Sequence, residues 1–303
     1  MSILFVLGPN ATAYFIAAAK NEQKVLDSID LTSNRYRRYP LHDKTVHSKL
    51  LEMYSAAVPY IMPNEDICAP TLWHPDLSLG NLHVSETDPG ELQGIIDWQH
   101  TSILPYFSFL SMPSAFVYEG DKIDMSGIVP GPLPSDLDDL TPEEQAEYRL
   151  QLRFANRHKW YQLMSARIPR HKATCLLPHS SQLEMLPTFV LRTWSDGALN
   201  LRHALLIIRE RWTEIAGPGV PCPIEFSVEE RKEHEEQSER YELYEALMEA
   251  AQRALRYEGD GLVKHESFDR VKGAVDRFEP AWDEDRTGSP FPMKDGGYSF
   301  FLS

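Results

Sequence analysis

Cysteine is scarce in this chain of 303 residues, with Cys68, Cys175 and Cys222 as its three examples. They form no Cys-x-x-Cys pair, which argues against a zinc site built from cysteine pairs. Three widely spaced cysteines also cannot make a disulfide framework of even number. The expected environment is therefore a reducing compartment.

Basic residues are outnumbered by acidic ones: the chain has 30 Lys and Arg and 45 Asp and Glu, for a net charge of −15. Nucleic-acid surfaces need clustered Lys and Arg, so we expect no nucleic-acid partner. Long apolar runs are missing as well, and none approaches the ~20 residues of a membrane-spanning helix. The remaining composition, 42% hydrophobic and 25% charged, is that of an ordinary globular protein.

The first thirty residues lack the marks of a targeting segment. No basic stretch precedes the apolar run at 3–7, and Gly8-Pro9-Asn10 interrupts it, which disfavours a secretory signal. An Arg-rich, acid-poor mitochondrial presequence is not seen either. We expect that any such segment of the natural protein lies upstream of this chain.

Periodicity and capping residues predict a mostly helical chain. A short strand fits 3–7, and residues 119–140, rich in Gly, Pro and Asp, fit a surface excursion. Pro59 and Pro63 are expected to end the second helix. The predicted helices run from a cap at Asn10 or Thr12 to Leu26, from Asp43 to Val58, from a capping box at Thr141 to about Ala166, over 180–189 and 200–215, and from a capping box at Ser227 to about Tyr257.

Residues 69–96 differ from the rest, because short apolar runs alternate there with turns. Strands are predicted at 71–73, 82–84 and 92–96, and Asp88-Pro89-Gly90 predicts a hairpin between the last two. The stretch contains Trp73-His74-Pro75-Asp76-Leu77-Ser78-Leu79-Gly80-Asn81, followed by Gly94-Ile95-Ile96-Asp97-Trp98. The spacing is His-x-Asp, four residues, Asn, a hairpin, and an apolar strand that ends in Asp.

These residue types suit phosphoryl transfer. One carboxylate must orient an attacking hydroxyl and accept its proton, while an amide oxygen and a second carboxylate hold Mg²⁺. A loop between two short strands brings Asp76 and Asn81 to one rim, and the hairpin returns Asp97 beside them. Ser78 is a weak alternative as a nucleophile, because Leu77-Ser78-Leu79-Gly80 lacks the first glycine of a nucleophile elbow.

This segment resembles the catalytic loop and metal-binding strand of the aminoglycoside phosphotransferase and choline kinase group, which are relatives of protein kinases. More narrowly, His-Pro-Asp-Leu-Ser, Gly-Ile-Ile-Asp-Trp-Gln-His and Ser-Ile-Leu-Pro resemble the fungal subgroup named after altered inheritance of mitochondria protein 9. Cys222-Pro223-Ile224 and the acidic helix that follows are also similar, so that the resemblance covers roughly residues 1–280.

The resemblance implies a role for each matched residue. Asp76 is implied as the catalytic base, Asn81 and Asp97 as Mg²⁺ ligands, and His74 as a hydrogen-bond donor that organises the loop. The implied reaction transfers the γ-phosphate of ATP to a hydroxyl of an unidentified small molecule. A mitochondrial location is likewise implied by the resemblance alone. Trp98, Gln99 and His100 are expected to pack around the site rather than to bind metal.

The nucleotide-binding lobe of such an enzyme is missing from the sequence pattern, since Gly8 is the sole glycine before Gly80. Lys20 and Lys24 lie in a predicted helix, whereas a kinase carries its phosphate-binding lysine on a strand. The expected consequence is an exposed apolar surface where that lobe would pack. A truncated chain is the favoured explanation; a lobe supplied by a partner and a loss of catalysis are the alternatives.

The expected fold is therefore α+β: a protein-kinase-like C-terminal lobe at 1–224, mostly helical, with a small β-hairpin at the catalytic loop. An acidic helical extension follows at 225–286, with 19 acidic and 10 basic residues, and a loose tail at 287–303. The simplest interpretation of the extension is a solvated helical face.

Two other functions stay open. One is a non-catalytic scaffold on a kinase-like body, with the acidic helix 229–257 as its protein-binding surface. The other is a non-haem iron enzyme, in which His74 and Asp76 join a distant histidine as a facial triad. The candidate third ligands are His158, His179 and His203.

Overall fold

The computed structural model describes residues 10–28, 44–255, 265–287 and 291. The predicted strand at 3–7, the end of the acidic helix beyond 255 and nearly all of the predicted tail lie outside these residues. The chain divides into two compact units. The first unit is Met1–Tyr14 with Ile61–Met185, and the second unit is Phe15–Tyr60 with Leu186–Ser303. Residues on both sides of the predicted boundary at 224 belong to the second unit, so that boundary stays a prediction.

Helices make up most of the described residues, and four short strands form two separate antiparallel pairs. The strands are β1 Pro70–Trp73, β2 Leu82–Val84, β3 Leu92–Ile95 and β4 Ser102–Pro105. The helices are α1 Ala11–Ser28, α2 Lys44–Ile61, α3 Pro142–Ser165, α4 Pro169–Cys175, α5 Ser180–Leu191, α6 Thr193–Asp196, α7 Leu199–Glu210, α8 Trp212–Ala216, α9 Val228–Leu255, α10 Phe268–Phe278 and α11 Glu284–Thr287. None of the helices in these ranges is both long and apolar enough to cross a membrane.

Side-chain caps start three of the helices, as their sequences predict. The side chain of Asn10 accepts the Ala13 N–H at 2.9 Å. Thr141 and Glu144 form the reciprocal capping box before α3, and Ser227 and Glu230 exchange the same two bonds at 2.8 and 3.1 Å before α9. Each cap satisfies backbone N–H groups that have no partner inside the helix.

Two helix ends differ from expectation. Pro59 lies inside α2, which continues to Ile61, so the expectation that Pro59 ends the helix is wrong. A proline in the last turn forfeits one helical hydrogen bond, and burial of Val58 and Ile61 compensates for it. Pro63 does follow the end of the helix. The predicted helix 200–215 is also two helices, which divide at Arg211.

The first unit holds both strand pairs. β2 and β3 form the predicted hairpin, in which Leu82 pairs with Ile95. Its turn is closed by Asp88, whose carboxylate accepts the Gly90 N–H and whose carbonyl accepts the Glu91 N–H, both at 2.9 Å. β1 pairs with β4, a strand that sequence patterning does not predict because its four residues are too few to show alternation.

The core of the first unit is small, with Phe107 and Leu183 fully buried. Trp73 at the end of β1 stacks on Phe109 with ring centroids 4.6 Å apart. The second unit has a larger apolar core, in which Tyr54 of α2 stacks on Phe15 of α1. The remaining fully buried large side chains of the second unit are Leu26, Leu50, Leu186, Leu201, Leu205, Ile208 and Ile224.

Candidate active site

His74 lies in the loop after β1, and its ring is buried. Its Nε2 atom lies 2.8 Å from the carbonyl oxygen of Ile96. A carbonyl oxygen only accepts hydrogen bonds, so Nε2 carries the proton and is the donor. The two residues are 22 positions apart in the sequence. The edge of the Trp98 indole packs against the same imidazole, with ring centroids 4.8 Å apart. His74 thereby ties the loop after β1 to the end of β3.

Asp76 and Asn81 contact each other within this loop. The amide Nδ2 of Asn81 donates to the backbone carbonyl of Asp76 at 2.9 Å and to its Oδ2 atom at 3.3 Å. The Ser78 N–H donates to the same Asp76 carbonyl, and the Ser78 carbonyl accepts from the Asn81 N–H. The loop is therefore a tight backbone turn that fixes the Asp76 carboxylate, which is exposed, relative to the Asn81 amide.

Ile96 is held from both sides. Its N–H donates to the Asn81 carbonyl at 3.0 Å, and its carbonyl accepts from His74. Asp97 follows directly, so the backbone that leads to its carboxylate is bonded to both ends of the catalytic-loop candidate. The Trp98 indole N–H, which donates to the Ile95 carbonyl at 2.8 Å, fixes the chain on the other side of Asp97.

Asp97 adopts a left-handed backbone conformation, with φ at 60°. This region costs an L-residue about 1–2 kcal/mol, and aspartate is among the few side chains that visit it. Strained non-glycine residues cluster at functional sites. His100, three residues on, has φ at 59°. The Asp97 carboxylate is exposed and accepts no hydrogen bond from the described part of the chain.

The donor atoms suit a hard cation. The Asn81 side-chain amide donates its N–H groups to Asp76, and its side-chain carbonyl oxygen accepts no hydrogen bond from described residues. That oxygen and the Asp97 carboxylate are oxygen donors of the type that Mg²⁺ takes, in the small number it usually takes from a protein. The residues present thus fit Mg²⁺ by type, with water completing the coordination.

The iron alternative finds less support in the geometry. Among residues 10–28, 44–255 and 265–287, no group of three or more His, Cys, Asp or Glu side chains is placed to hold a metal ion. Each candidate third ligand has another contact. His158 accepts the Tyr118 N–H, His179 bonds to the Ile61 carbonyl, and His203 faces His234.

Large apolar side chains of the strands that flank the candidate site in sequence are exposed. In β1 and β4, Leu72 and Ile103 form a cross-strand pair, and Leu72 is 57% exposed. In the hairpin, Val84 pairs with Leu92, and both are exposed. Exposed apolar cross-strand pairs of this kind are compatible with an interface.

The residues before β1 do not fit a nucleotide. In the described ranges 10–28 and 44–69 the chain forms α1 and α2 and no strand, so no strand lysine or glycine-rich hairpin is present there for phosphates. Asn81 and Asp97 fit the metal by ligand type, and the described residues before β1 supply none of these phosphate-binding groups.

Comparison with known proteins finds relatives at low identity. A subtelomeric hrmA-associated cluster protein of Aspergillus fumigatus is 29% identical over 238 residues, which are 77% of this chain and 45% of that protein. Altered inheritance of mitochondria protein 9, mitochondrial, is 26% identical in Clavispora lusitaniae over 66% of this chain, and 24% in Saccharomyces cerevisiae over 69%. Both of these matches cover 32% of the relative.

The chain therefore spans less than half the length of the curated relatives it matches. No family model matches it, and no solved structure does. The resemblance to altered inheritance of mitochondria protein 9 is thus found again as weak homology, whereas these comparisons leave the wider kinase-like family as a prediction.

The features that sequence patterns missed at this site belong to the backbone. No pattern indicates that the Ile96 peptide unit is bonded on both sides, or that Asp97 has a positive φ. An aspartate directly after an apolar strand is a permissive signal for the left-handed region. The aromatic contact of Trp98 with His74 agrees with its expected packing role.

Proposed function

We propose that this chain carries the acceptor-activating and metal-binding half of a phosphotransferase of the aminoglycoside-kinase type, on a kinase-like C-terminal lobe. The observation that supports it best is the set of hydrogen bonds joining the loop of Asp76 and Asn81 to the backbone just before Asp97. The substrate is a small molecule with a hydroxyl group.

Each residue has a stated task in this proposal. The Asp76 carboxylate accepts the proton of the acceptor hydroxyl and orients its oxygen for attack. The Asn81 amide, 3.3 Å away, holds that carboxylate in place. His74 acts through the backbone, since its bond to Ile96 keeps the Asp97 strand end against the loop.

Asn81 and Asp97 are the residues that would hold Mg²⁺. When bound, the ion neutralises negative charge that develops on phosphate oxygens during the transfer. Asp97 has a left-handed backbone conformation, and backbone strain of this kind is typical of residues at functional sites.

The described residues before β1 contain no strand lysine or glycine-rich hairpin that could hold the nucleotide phosphates. The exposed apolar pairs of the strands suit the surface on which a nucleotide-binding lobe would pack. A mitochondrial location is part of the proposal, and it is supported by the names of several relatives.

The test measures metal binding first and nucleotide binding second. Mn²⁺, a paramagnetic substitute for Mg²⁺, is titrated into the chain while water proton relaxation is followed. ATP is then titrated by calorimetry with and without Mg²⁺. The variant is Asp97→Asn, because asparagine tolerates the same left-handed backbone while it removes the charge. The matched control is Glu86→Gln, which removes an exposed carboxylate from the same hairpin.

Metal binding that Asp97→Asn abolishes and Glu86→Gln preserves supports the site. Mg²⁺-dependent ATP binding in addition means that the chain by itself retains a working nucleotide site. Absence of metal binding in a folded sample contradicts the proposal.

A non-catalytic interaction protein is the second candidate, and the exposed apolar strand faces favour it. If the Asp76→Asn variant loses the effect that the unmodified chain has in cells, that loss supports the proposal that the protein is an enzyme. Loss with Leu72→Ser and Ile103→Ser, while Asp76→Asn has no effect, supports the interaction protein instead.

A further inference from the structure

A basic segment stands apart in this acidic protein. Residues 148–176 contain seven Lys and Arg and no Asp or Glu, while the whole chain has a net charge of −15. The segment comprises most of α3 and all of α4, both in the first unit. Local charge of this sign in a chain of the opposite sign calls for a specific explanation.

Arginines form a row along α3. Arg149, Arg153 and Arg157 follow one another at four-residue steps, so they lie about 6 Å apart along one face of the helix. Arg149 and Arg153 are exposed, and none of the three lies within ion-pair distance of a carboxylate in the described chain. The Arg157 guanidinium lies over the ring of Phe154, 4.9 Å from its centroid. The row therefore presents positive charge that the rest of the chain does not neutralise.

Apolar side chains share this exposed face. Trp160 is 63% exposed, and Leu150, Phe154 and Met164 are also exposed on the same side of α3. With the three arginines they constitute what we call the basic–apolar stripe. Beyond the helix, Ile168 and Leu176 continue the exposed apolar surface, and Leu176 is 73% exposed.

The opposite face of α3 packs on its own unit. Gln151 accepts the hydroxyl of Tyr118 at 2.7 Å, Ala155 is fully buried, and Lys159 donates to the Met125 carbonyl at 2.8 Å. Gln151, Ala155 and Lys159 also follow one another at four-residue steps, on the side away from the arginine row. The helix is thus anchored through one face, and the exposed members of the stripe, among them Arg149, Arg153 and Trp160, lie on the other side.

We propose that the basic–apolar stripe docks this protein on the surface of an anionic phospholipid bilayer. The guanidinium groups meet the charged headgroups, and Trp160 with its aliphatic neighbours enters the boundary between headgroups and acyl chains. The combination of positive charge with exposed apolar side chains distinguishes between the possible partners of the stripe. A nucleic acid would neutralise the arginines but would leave Met164, Leu163 and Ile168 against a polar backbone.

The acidic helix α9 of a second copy is the other source of negative charge. Its described surface is dominated by glutamate, so it offers little apolar area to cover Trp160 and Met164. A bilayer offers both negative charge and an apolar interior, and it therefore matches both halves of the stripe.

The test is flotation of the purified chain with vesicles of phosphatidylcholine, with or without phosphatidylserine. We expect binding only to the anionic vesicles and its loss at high salt. The variant Arg149→Gln/Arg153→Gln should weaken partitioning about thirty-fold, at about a fivefold factor per arginine. The control Lys232→Gln/Arg240→Gln changes the net charge equally on α9, where both residues are exposed, and should bind as the unmodified chain does.

A second variant separates insertion from simple charge attraction. Trp160→Ala keeps every arginine, and it should also lower partitioning to anionic vesicles if the stripe inserts. Circular dichroism and thermal unfolding establish that each variant is folded. Failure of the folded chain to bind anionic vesicles overturns the proposal, as does equal loss in the α9 control. Binding to RNA or self-association that depends on Arg149 and Arg153, without vesicle binding, overturns it in favour of those partners.

Discussion

Two acidic residues of the strand region at 70–105 and two polar residues of the helical second unit are placed in opposite ways. In the second unit, Glu22 and His47 are buried and bonded: Glu22 accepts the Trp194 N–H at 2.9 Å, and His47 bonds Thr193 at 3.0 Å. In the strand region, the carboxylates of Asp76 and Asp97 face solvent. Buried polar groups must be hydrogen-bonded for the fold to be stable. The exposed carboxylates of Asp76 and Asp97 do not stabilise the fold in this way.

The two regions also differ in how they treat apolar side chains. Leu201, Leu205 and Ile208 on α7 are fully buried, while Leu72 and Ile103 of the strands are largely exposed. The second unit thus buries these large apolar side chains, whereas the strand region leaves Leu72 and Ile103 exposed. Four predictions test this contrast.

The largest effect is expected from core truncation in the second unit. Leu205→Ala should lower the free energy of unfolding by about 3 kcal/mol, because it leaves a cavity at a fully buried position. Leu72→Ala, the matched change on β1, should alter it by less than about 0.5 kcal/mol. Urea unfolding measures both. Similar losses at the two positions would mean that the strand region is packed as tightly as the helical unit.

We expect Glu22 to make the free energy of unfolding depend on pH. Burial raises the pKa of Glu22 to about 7, although its hydrogen bond from Trp194 lowers it. The folded state therefore keeps the proton longer than the unfolded state, and this stabilisation is present below about pH 4.5 and is lost as pH rises to about 7. Glu22→Gln should remove this loss, about 3 kcal/mol across that range. An unchanged pH profile of unfolding in the variant would contradict the assignment.

His234 should act in the opposite direction. Burial, with the nearby positive charge of His203 and Arg202, lowers the pKa of His234 to about 4. The neutral ring stabilises the folded state above about pH 6.5, and this contribution, about 1 kcal/mol, is lost as pH falls towards 4. His234→Gln should flatten the acid side of the stability profile, with His83→Gln on the exposed hairpin as the control. Equal flattening in both variants would argue against this role.

The smallest effect is expected at Asp97. Asp97→Gly relieves the cost of the left-handed conformation and adds the entropic cost of glycine, for a net gain of about 0.5 kcal/mol in the free energy of unfolding. Gly tolerates φ at 60°, and Asn nearly so, so Asp97→Asn should leave stability unchanged. Thermal unfolding measures both. A clear destabilisation by either variant would make Asp97 a structural residue and weaken the contrast between the regions.

Local sequence rules determined a good part of this fold. Asn10, Thr141 and Ser227 each cap a helix because a side-chain oxygen reaches backbone N–H groups two or three residues away. Asp88 and Gly90 likewise close the hairpin within a few residues. These interactions are short-range, so the order of residues fixes them. The residue types and spacing at 74, 76, 81 and 97 also identified the candidate site from the sequence alone.

Contacts between distant segments settled the rest. β4 pairs with the edge of β1, and α2 continues through Pro59 to Ile61, with Val58 and Ile61 of its last turn buried. The hydrogen bonds of Ile96 join it to residues 15 and 22 positions earlier in the chain, and the positive φ of Asp97 follows directly after them. The face of α3 that carries Arg149, Arg153 and Trp160 was fixed in the same way, because its opposite face found packing partners. Such choices depend on which surfaces meet, and no local pattern encodes that.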